Sequence, residues 1–109
     1  MSDAPKYLLI VNAEIDPSVE DAWNQWYNEV HLPEALACPG VLAGNRYRSV
    51  GDASLTKDGG KSQSSGRAYV AVYELSGPEA LDTPEFIEMR GWYHFTDKIT
   101  ARTQVYEAL

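Results

Sequence analysis

One stretch of the chain combines a histidine with a close set of aromatic residues. It runs Trp23-x-x-Trp26-Tyr27-x-x-x-His31-x-Pro33, so His31 follows Tyr27 by four residues and Trp23 by eight. In a helix these spacings place the side chains on one face. A neutral imidazole can exchange a proton near pH 7, and surrounding indole and phenol rings shift its pKa by lowering the local dielectric. The pattern indicates a cofactor-free acid–base site for a flat, ring-bearing substrate.

A structural interpretation of the same residues competes with the functional one. Aromatic residues at helical spacing usually belong to the core, and this is the preferred interpretation of Trp23 and Trp26. His31 either faces a pocket or donates a hydrogen bond to backbone groups that a helix break at Pro33 exposes. The residues alone leave both interpretations of His31 open.

Further polar candidates are spread along the chain. His94 stands among aromatic residues in a segment that either covers the mouth of a pocket or lies on the surface near a helix end, the more common case. A strand arginine such as Arg46 or Arg48 either binds a carboxylate or enolate oxygen or pairs with local acids. Asn12 either satisfies the turn that follows it or points into a cavity as a hydrogen-bond donor.

The candidate catalytic residues are therefore His31 and Tyr27, because they share one helical face. The candidate substrate-binding residues are the aromatic and polar side chains expected around that face, namely Trp23, Trp26, Asn12, Arg46, Tyr47, Arg48, Tyr69, Trp92, Tyr93 and His94.

Charge and composition exclude several classes of function. The 109 residues include nine Lys and Arg against sixteen Asp and Glu, and the net charge of -7 repels nucleic acid and anionic membranes. No Cys/His set suits zinc, and no Gly-rich phosphate loop, nucleophile elbow or EF-hand is present. Cys38 is the single cysteine, and no basic-apolar leader opens the sequence. We expect a cytoplasmic protein without metal or cofactor.

Hydrophobic periodicity predicts the elements that would position these residues. Short apolar or alternating runs favour strands, Asp16 and Pro17 favour the start of a long helix, and Pro33 is expected to bend or break that helix after His31. A second helix is expected to carry Phe86, Ile87 and Met89 inward. The predicted strands are 7 to about 13, 41–50, 67–75 and 99–108, and the predicted helices are 17–36 and a broken 76–89. Residues 51–66 are expected to form either a mobile connection or a hairpin with a flexible tip.

The predicted order βαββαβ is that of a ferredoxin-like α+β domain with a four-stranded antiparallel sheet, and one such domain would span residues 1–109. Its helices cover one sheet face only. Strands one and three carry apolar residues on both faces, so we expect the other face to pack against the sheet of a second copy in a homodimer.

The chain resembles the dimeric α+β-barrel superfamily, most of all its EthD-like branch. The likeness rests on the aromatic helix motif ending in His31-Leu32-Pro33, on Pro39-Gly40-Val41, on Arg46-Tyr47 and on Tyr69-x-x-x-Tyr73-Glu74-Leu75. It implies two ferredoxin-like domains paired through their sheets, each with a pocket between sheet and helices. It also implies His31 as general acid/base, with Tyr27 and Trp23 as pocket wall.

The superfamily includes polyketide cyclases, muconolactone isomerases, lyases, cofactor-independent monooxygenases and members without assigned activity. The chain departs from the cyclase branch because Asn12 replaces a histidine on strand one and strand three has no histidine. The leading hypothesis is a cofactor-independent isomerase, lyase or cyclase acting on a small hydrophobic aromatic, lactone or polyketide-like metabolite. The alternatives are a cofactor-free monooxygenase and a non-catalytic metabolite-binding protein, and the 51–66 connection is either a lid or an insertion.

Overall fold

Residues 5–64 and 66–109 are described by the computed structural model. Strands alternate with short helical segments along the chain, in the order β1 (Tyr7–Ile15), α1 (Glu20–Trp26), α2 (Leu32–Leu36), β2 (Val41–Arg48), β3 (Ala53–Lys57), β4 (Gly60–Ser64), β5 (Tyr69–Leu75), α3 (Pro84–Met89) and β6 (Ile99–Glu107). Four short helical segments complete this order, of which Pro17–Val19, Pro78–Asp82 and Tyr93–Lys98 are 3₁₀-helical and Tyr27–His31 is π-helical.

The main sheet has the strand order β2-β5-β1-β6, and every neighbouring pair is antiparallel. Without the separate β3–β4 pair, the chain follows the ferredoxin-like βαββαβ path. The predicted fold class is thus confirmed. Strand β1 runs to Ile15, beyond the predicted end near residue 13, because it pairs with β6 along its whole length.

The two faces of the sheet differ in burial. Alternate residues of β1 and β5 are buried against the helices, and this helix-covered face carries Leu9, Val11, Ala13, Tyr69, Ala71, Tyr73 and Leu75. Their neighbours point to the opposite face. On this open face Leu8, Ile10, Val70 and Val72 are only half-buried. The expectation that strand 67–75 is covered on both faces is met, within the described chain, on one face only.

The long helical segment starts and ends where the sequence predicts. The Asp16 side chain accepts a hydrogen bond from the Ser18 amide at the start, and the helix ends at Leu36. Of the predicted bend or break after His31, the break is wrong, because the helical segment continues through Pro33. A π-turn stands there instead, in which the Leu32 amide donates to the Tyr27 carbonyl five residues back. A wider turn beside a proline accommodates both the missing donor and the ring of Pro33.

The connection over 51–64 is a hairpin, one of the two predicted possibilities. Its turn has positive φ at Asp58 (51°) and Gly59 (82°), as in the type I′ turns that suit two-residue hairpins. All residues of β3 and β4 are exposed. None of them lines the cavity that contains His31, so the hairpin projects from the domain and does not close over the candidate site.

The second helix is broken as predicted, into the 3₁₀ turn Pro78–Asp82 and α3, whose first turn is capped when the Thr83 hydroxyl accepts from the Phe86 amide. Phe86 is buried. The prediction that Ile87 points inward is wrong, since 47% of its surface is exposed. A six-residue helix buries only a narrow stripe, and Phe86 occupies it.

A close contact in the sheet holds the ring of Tyr73 in place. A Cβ atom on Gly44 of β2 would lie 2.7 Å from Cδ1 of Tyr73 and 3.1 Å from Cδ2 of Leu36. Only glycine leaves this space free. The ring of Tyr73 can therefore lie flat across β2, between the sheet and the helical segment.

Substituting Gly44→Ala is expected to reduce the free energy of unfolding by about 1–3 kcal/mol, because the added methyl overpacks against Tyr73. Urea denaturation measures this change. The matched control is Gly60→Ala in the exposed hairpin, where the nearest atom to the new Cβ is the Lys57 carbonyl at 3.4 Å, and its effect should stay within about 0.5 kcal/mol. Equal stability of both variants would contradict the packing described.

Candidate active site

A cavity of about 420 Å³ lies between the helix-covered sheet face, the π-turn and the segment that follows α3. Its walls are mainly apolar, and its few polar side chains come from the helix, from β5 and β6 and from the residue after α3. The lining residues are Leu9, Val11, Tyr27, His31, Ala35, Tyr73, Leu81, Phe86, Met89, Arg90, Gly91, Trp92 and Thr103.

His31 is the buried titratable group of this cavity. Its ring is 6% exposed, stacks on Trp26 with 4.6 Å between ring centroids, and meets the edge of Tyr27 at 4.8 Å and the Trp92 ring at 5.5 Å. Burial, helped by the nearby Arg46 charge, lowers the pKa of His31 to about 4. The imidazole is therefore neutral at pH 7.

The ring nitrogens of His31 have no protein partner within residues 5–64 and 66–109. His31 makes no side-chain cap at the start of α2, and the one fully buried side-chain nitrogen or oxygen without a partner in that part of the chain is the Trp23 indole nitrogen. The nitrogens of His31 are thus not fully buried, and the side chain lines both the cavity and a shallow groove outside it. The alternative in which His31 satisfies a broken helix end does not apply, since the helix continues through Pro33.

Two buried phenols form the second polar feature of the cavity. The hydroxyl oxygens of Tyr27 on the helix and Tyr73 on β5 are 2.5 Å apart. Desolvation raises the pKa of Tyr27, and desolvation together with the neighbouring Tyr27 raises that of Tyr73. Both groups therefore stay protonated. Because one hydrogen bond between two hydroxyls uses one hydrogen, the other hydrogen is free to be donated to a molecule in the cavity.

Arg46 lies behind the wall of the cavity, on the far side of the Tyr27 ring. Its guanidinium carbon is 4.0 Å from the centroid of that ring, a cation–π contact, and its nitrogens donate to Oδ1 of Asn28 at 2.7 Å and Oδ1 of Asn24 at 2.8 Å. These bonds fix the cation. Arg46 therefore acts on the cavity through its field and does not contact the space inside it.

Tyr69 stabilises the contact between the helix α1 and the strand β5. Its hydroxyl donates to the carboxylate of Glu20 and accepts from Nδ2 of Asn24 at 2.9 Å, while Arg67 pairs with the same carboxylate at 2.9 Å. The hydrogen bond from Tyr69 lowers the pKa of Glu20. This network anchors the first turn of α1 to β5 and lies outside the cavity.

Of the predicted site residues, the structure brings Tyr27, His31 and Trp92 to the cavity. Trp23 is 1% exposed in the core behind it, which corrects its expected place in the wall. Trp26 carries the His31 ring on one side and stacks with Tyr93 in a shallow groove outside.

The register of the sheet places three predicted site residues on the strands, namely Asn12, Tyr47 and Arg48, outside the cavity. Asn12 pairs with Val70 and Arg102 and lies on the open face, because its neighbours Val11 and Ala13 take the helix-covered face. Tyr47 is exposed opposite Val70 on the same open face. Arg48 shares a polar surface depression with Arg46, away from the cavity.

His94 does not share a cavity with His31. It is exposed and its ring packs between Tyr93 and Phe95, with centroids 4.2 Å away on each side. The sequence-based interpretation of His94 as a surface residue agrees with this placement.

Sequence reasoning missed three polar residues of the cavity, namely Tyr73, Arg90 and Thr103. Tyr73 had a usable signal, since it alternates with Tyr69 and Ala71 on a strand whose one face must meet the helix. Arg90 and Thr103 had none, because each reaches the cavity from a distant part of the chain.

The described residues contain no group of three or more His, Cys, Asp or Glu side chains that could hold a metal ion. In the same part of the chain, no helix is long and apolar enough to cross a membrane.

A family model described as "Domain of unknown function (DUF4286)" matches residues 6–105. A comparison with curated proteins finds no sequence match. Residues 6–105 include all the strands of the main sheet except the last two residues of β6, and they include every residue that lines the cavity.

Solved structures resemble the chain over nearly its whole length. HapK from Hahella chejuensis is 19% identical, with a TM-score of 0.63 over 94% of this chain and 92% of that one. An EthD-family protein from Bacillus halodurans is 16% identical, with a TM-score of 0.64 over 94% of this chain and 99% of that one. A mutant of SnoaB, a cofactor-independent oxygenase from Streptomyces nogalater, is 12% identical, with a TM-score of 0.54 over 94% of this chain and 93% of that one. These likenesses confirm the predicted ferredoxin-like α+β fold, which the chain shares with the EthD-family protein.

The burial of neutral His31 predicts a specific loss of stability in acid. Its folded pKa of about 4 lies below the unfolded value of 6.5, so the unfolded chain binds the proton first as the pH falls. The free energy of unfolding is therefore expected to fall by about 3 kcal/mol as the pH decreases from 6.5 to 4. Replacing His31→Phe should remove this part of the loss, as measured by urea denaturation at pH 7 and pH 4.

The matched control for this experiment is His94→Phe, which changes an exposed histidine outside the cavity. It should keep the wild-type difference between pH 7 and pH 4. If His31→Phe loses as much stability in acid as the wild type, His31 is not a buried neutral group.

Proposed function

We propose a function for this chain, which belongs to the DUF4286 family of domains of unknown function, from the chemistry of its cavity. The chain acts on a small apolar, ring-bearing metabolite in a cofactor-independent reaction in which His31 moves a proton. The observation that carries this proposal is the neutral imidazole of His31, which lines an apolar cavity and whose nitrogens have no protein partner in the described chain.

The first step is removal of a proton from a carbon next to a carbonyl group. His31 accepts this proton, and the electron pair of the C–H bond moves to the carbonyl oxygen as an enolate. The Tyr27–Tyr73 hydroxyl pair supplies the hydrogen bond that this oxygen needs, from the one hydroxyl hydrogen that their mutual bond leaves free. The enolate in turn stabilises the imidazolium that burial disfavours. Return of the proton to another carbon completes an isomerisation. In an elimination the enolate instead expels a leaving group from the β carbon, and that group takes the proton. In a ring closure the enolate carbon attacks a second carbonyl carbon of the substrate, and the oxygen of that carbonyl takes the proton.

The walls of the cavity support a ring-bearing substrate. Phe86 and Trp92 offer aromatic surface, and Leu9 and Val11 offer the flat floor of the sheet. A volume of about 420 Å³ lies in the range of small-molecule sites. The polar groups are few and stand together, which favours one orientation of the substrate.

A cofactor-independent oxygenase is the second candidate. The observation in its favour is the likeness to SnoaB, a cofactor-independent oxygenase of this fold. The same deprotonation by His31 would start it, and the deprotonated substrate would itself supply the electrons that reduce molecular oxygen. Consumption of oxygen during turnover, followed with an oxygen electrode, separates this reaction from proton transfer without oxidation.

Deprotonation can be tested before the natural substrate is known. Fused-ring ketones such as 2-tetralone exchange hydrogen for deuterium next to the carbonyl in D₂O, and NMR measures the rate. The wild type should accelerate the exchange, and His31→Gln should reduce the enzymatic rate by about 10²–10⁴-fold because the base is lost.

The matched control is His94→Gln, which should exchange like the wild type since His94 lies outside the cavity. A folded His31→Gln protein with the wild-type rate would remove His31 from the reaction. Tight binding of ring ketones by the wild type without any exchange would favour the non-catalytic binding protein.

A homodimer is the expected state of the working protein. The open face presents Leu8, Ile10, Val70 and Val72, partly exposed, and Tyr106 lies beside Leu8 with 43% of its surface exposed. A second copy of the sheet packed on this face would bury them. The cavity lies on the other side of the sheet and stays within one protomer.

Substituting Val72→Glu at the centre of the open face should convert a dimer to a monomer, because two unpaired carboxylates would be buried in the interface. Sedimentation velocity measures the change. Leu55→Glu in the exposed hairpin is the control and should leave the dimer intact. A wild type that sediments as a monomer at all concentrations would overturn the proposed dimer.

A further inference from the structure

Arg90 occupies the boundary between the cavity and the outside. It lines the cavity together with His31 and Trp92, and it also lines the outer groove formed by Trp26, Glu88 and Tyr93. Its backbone is fixed, because its amide donates to the Phe86 carbonyl at the end of α3, while its side chain is exposed. A long guanidinium side chain anchored in this way can reach a ligand at the mouth.

We propose that the cavity takes an apolar ring compound that carries one anionic group, a carboxylate or an equivalent enolate, and that Arg90 binds this group at the mouth. The inference rests on the proposed function, since it names the substrate class of the same site. The apolar part of the ligand lies against Phe86 and Trp92, and the anionic group points outward to Arg90.

The distribution of charge supports an anionic ligand. Acidic residues outnumber basic ones by sixteen to nine in the chain, yet no Asp or Glu lines the cavity. Arg90 is the one residue with a formal charge among the lining residues at pH 7, because His31 is neutral there. An anion inside the cavity thus meets a cation and no carboxylate.

The guanidinium of Arg90 is available for such a ligand. Within residues 5–64 and 66–109, the one ion pair is that of Arg67 with Glu20, on another side of the molecule. Glu34 and Glu88 line the outer groove, but neither lies within ion-pair distance of Arg90. Their charge repels an anion from the groove and leaves the cavity side of Arg90 as the favourable position. A guanidinium binds a carboxylate through two parallel hydrogen bonds.

Arg46 adds a second cation behind the opposite wall. Its field reaches the cavity, since it contributes to lowering the pKa of His31. Arg46 is held by Asn24 and Asn28 and by the Tyr27 ring, so it cannot move to bind the ligand itself. The cavity is therefore positive on two sides in an acidic protein, which attracts anions from solution.

The test compares two probes of the same shape, 2-naphthoate and 2-naphthalenemethanol, which differ in charge. Isothermal titration calorimetry at pH 7 measures the affinity of each. The wild type should bind the carboxylate at least about tenfold more tightly, the effect of a charge-assisted hydrogen bond. Arg90→Gln should abolish this preference and leave the affinity for the alcohol unchanged. Arg90→Lys should keep part of it, because the charge remains without the paired donors.

The control is Lys61→Gln, which removes one cation from the exposed hairpin and should leave the preference unchanged. Equal affinity of both probes for the wild type, or a preference that persists in Arg90→Gln, would overturn the role of Arg90 while the proposed function stands. If neither probe binds the wild type, the proposal of an anionic ligand fails. The proposed function fails with it only if the wild type also does not accelerate the exchange of 2-tetralone.

Discussion

The hydrogen bond between the hydroxyls of Tyr27 and Tyr73 joins the long helical segment to the centre of the sheet. A buried hydroxyl without a partner costs about 1–3 kcal/mol, so each phenol requires the other. The pair fixes the rotation of the helix about its own axis and its height above β5. Gly44 leaves the room for the Tyr73 ring, and Arg46 covers the other side of the Tyr27 ring. The cavity is the space that remains beside this joint.

His31 depends on the same joint one turn later. The π-turn widens the helix between Tyr27 and Leu32, and the imidazole comes to rest on Trp26 at the cavity wall. Stacking and desolvation then act together, since the flat contact with Trp26 excludes water from one face of the imidazole ring. A basic group is thereby kept uncharged in a protein whose overall charge would otherwise favour its protonation.

The sequence predicted the elements of the fold and the helical half of the site, because both follow from short-range patterns. His31 and Tyr27 are four residues apart, and that spacing alone places them on one side of a helix. The strand half was less predictable. Residues alternate between two faces of a strand, and β1 is apolar on both, so the pattern does not reveal that Asn12 points away from the helices.

Residues that complete the cavity from a distance were not predictable at all. Arg90 follows a short helix and Thr103 lies in the last strand, and only the packing of these elements brings them within reach of His31. The break expected at Pro33 failed for a different reason. Helix rules treat a proline as a stop, whereas a locally wider turn lets the chain continue with little loss.

That wider turn has a consequence for comparing related sequences. A π-turn contains one residue more than the α-helical turn it replaces, and one residue corresponds to a rotation of about 100° around the helix axis. A relative with a regular helix would therefore need a one-residue gap between Trp26 and Leu32 to be aligned correctly. Without that gap, the alignment would pair two histidines whose side chains point in different directions. Identical residues in the alignment would then not show that the two proteins share the same site.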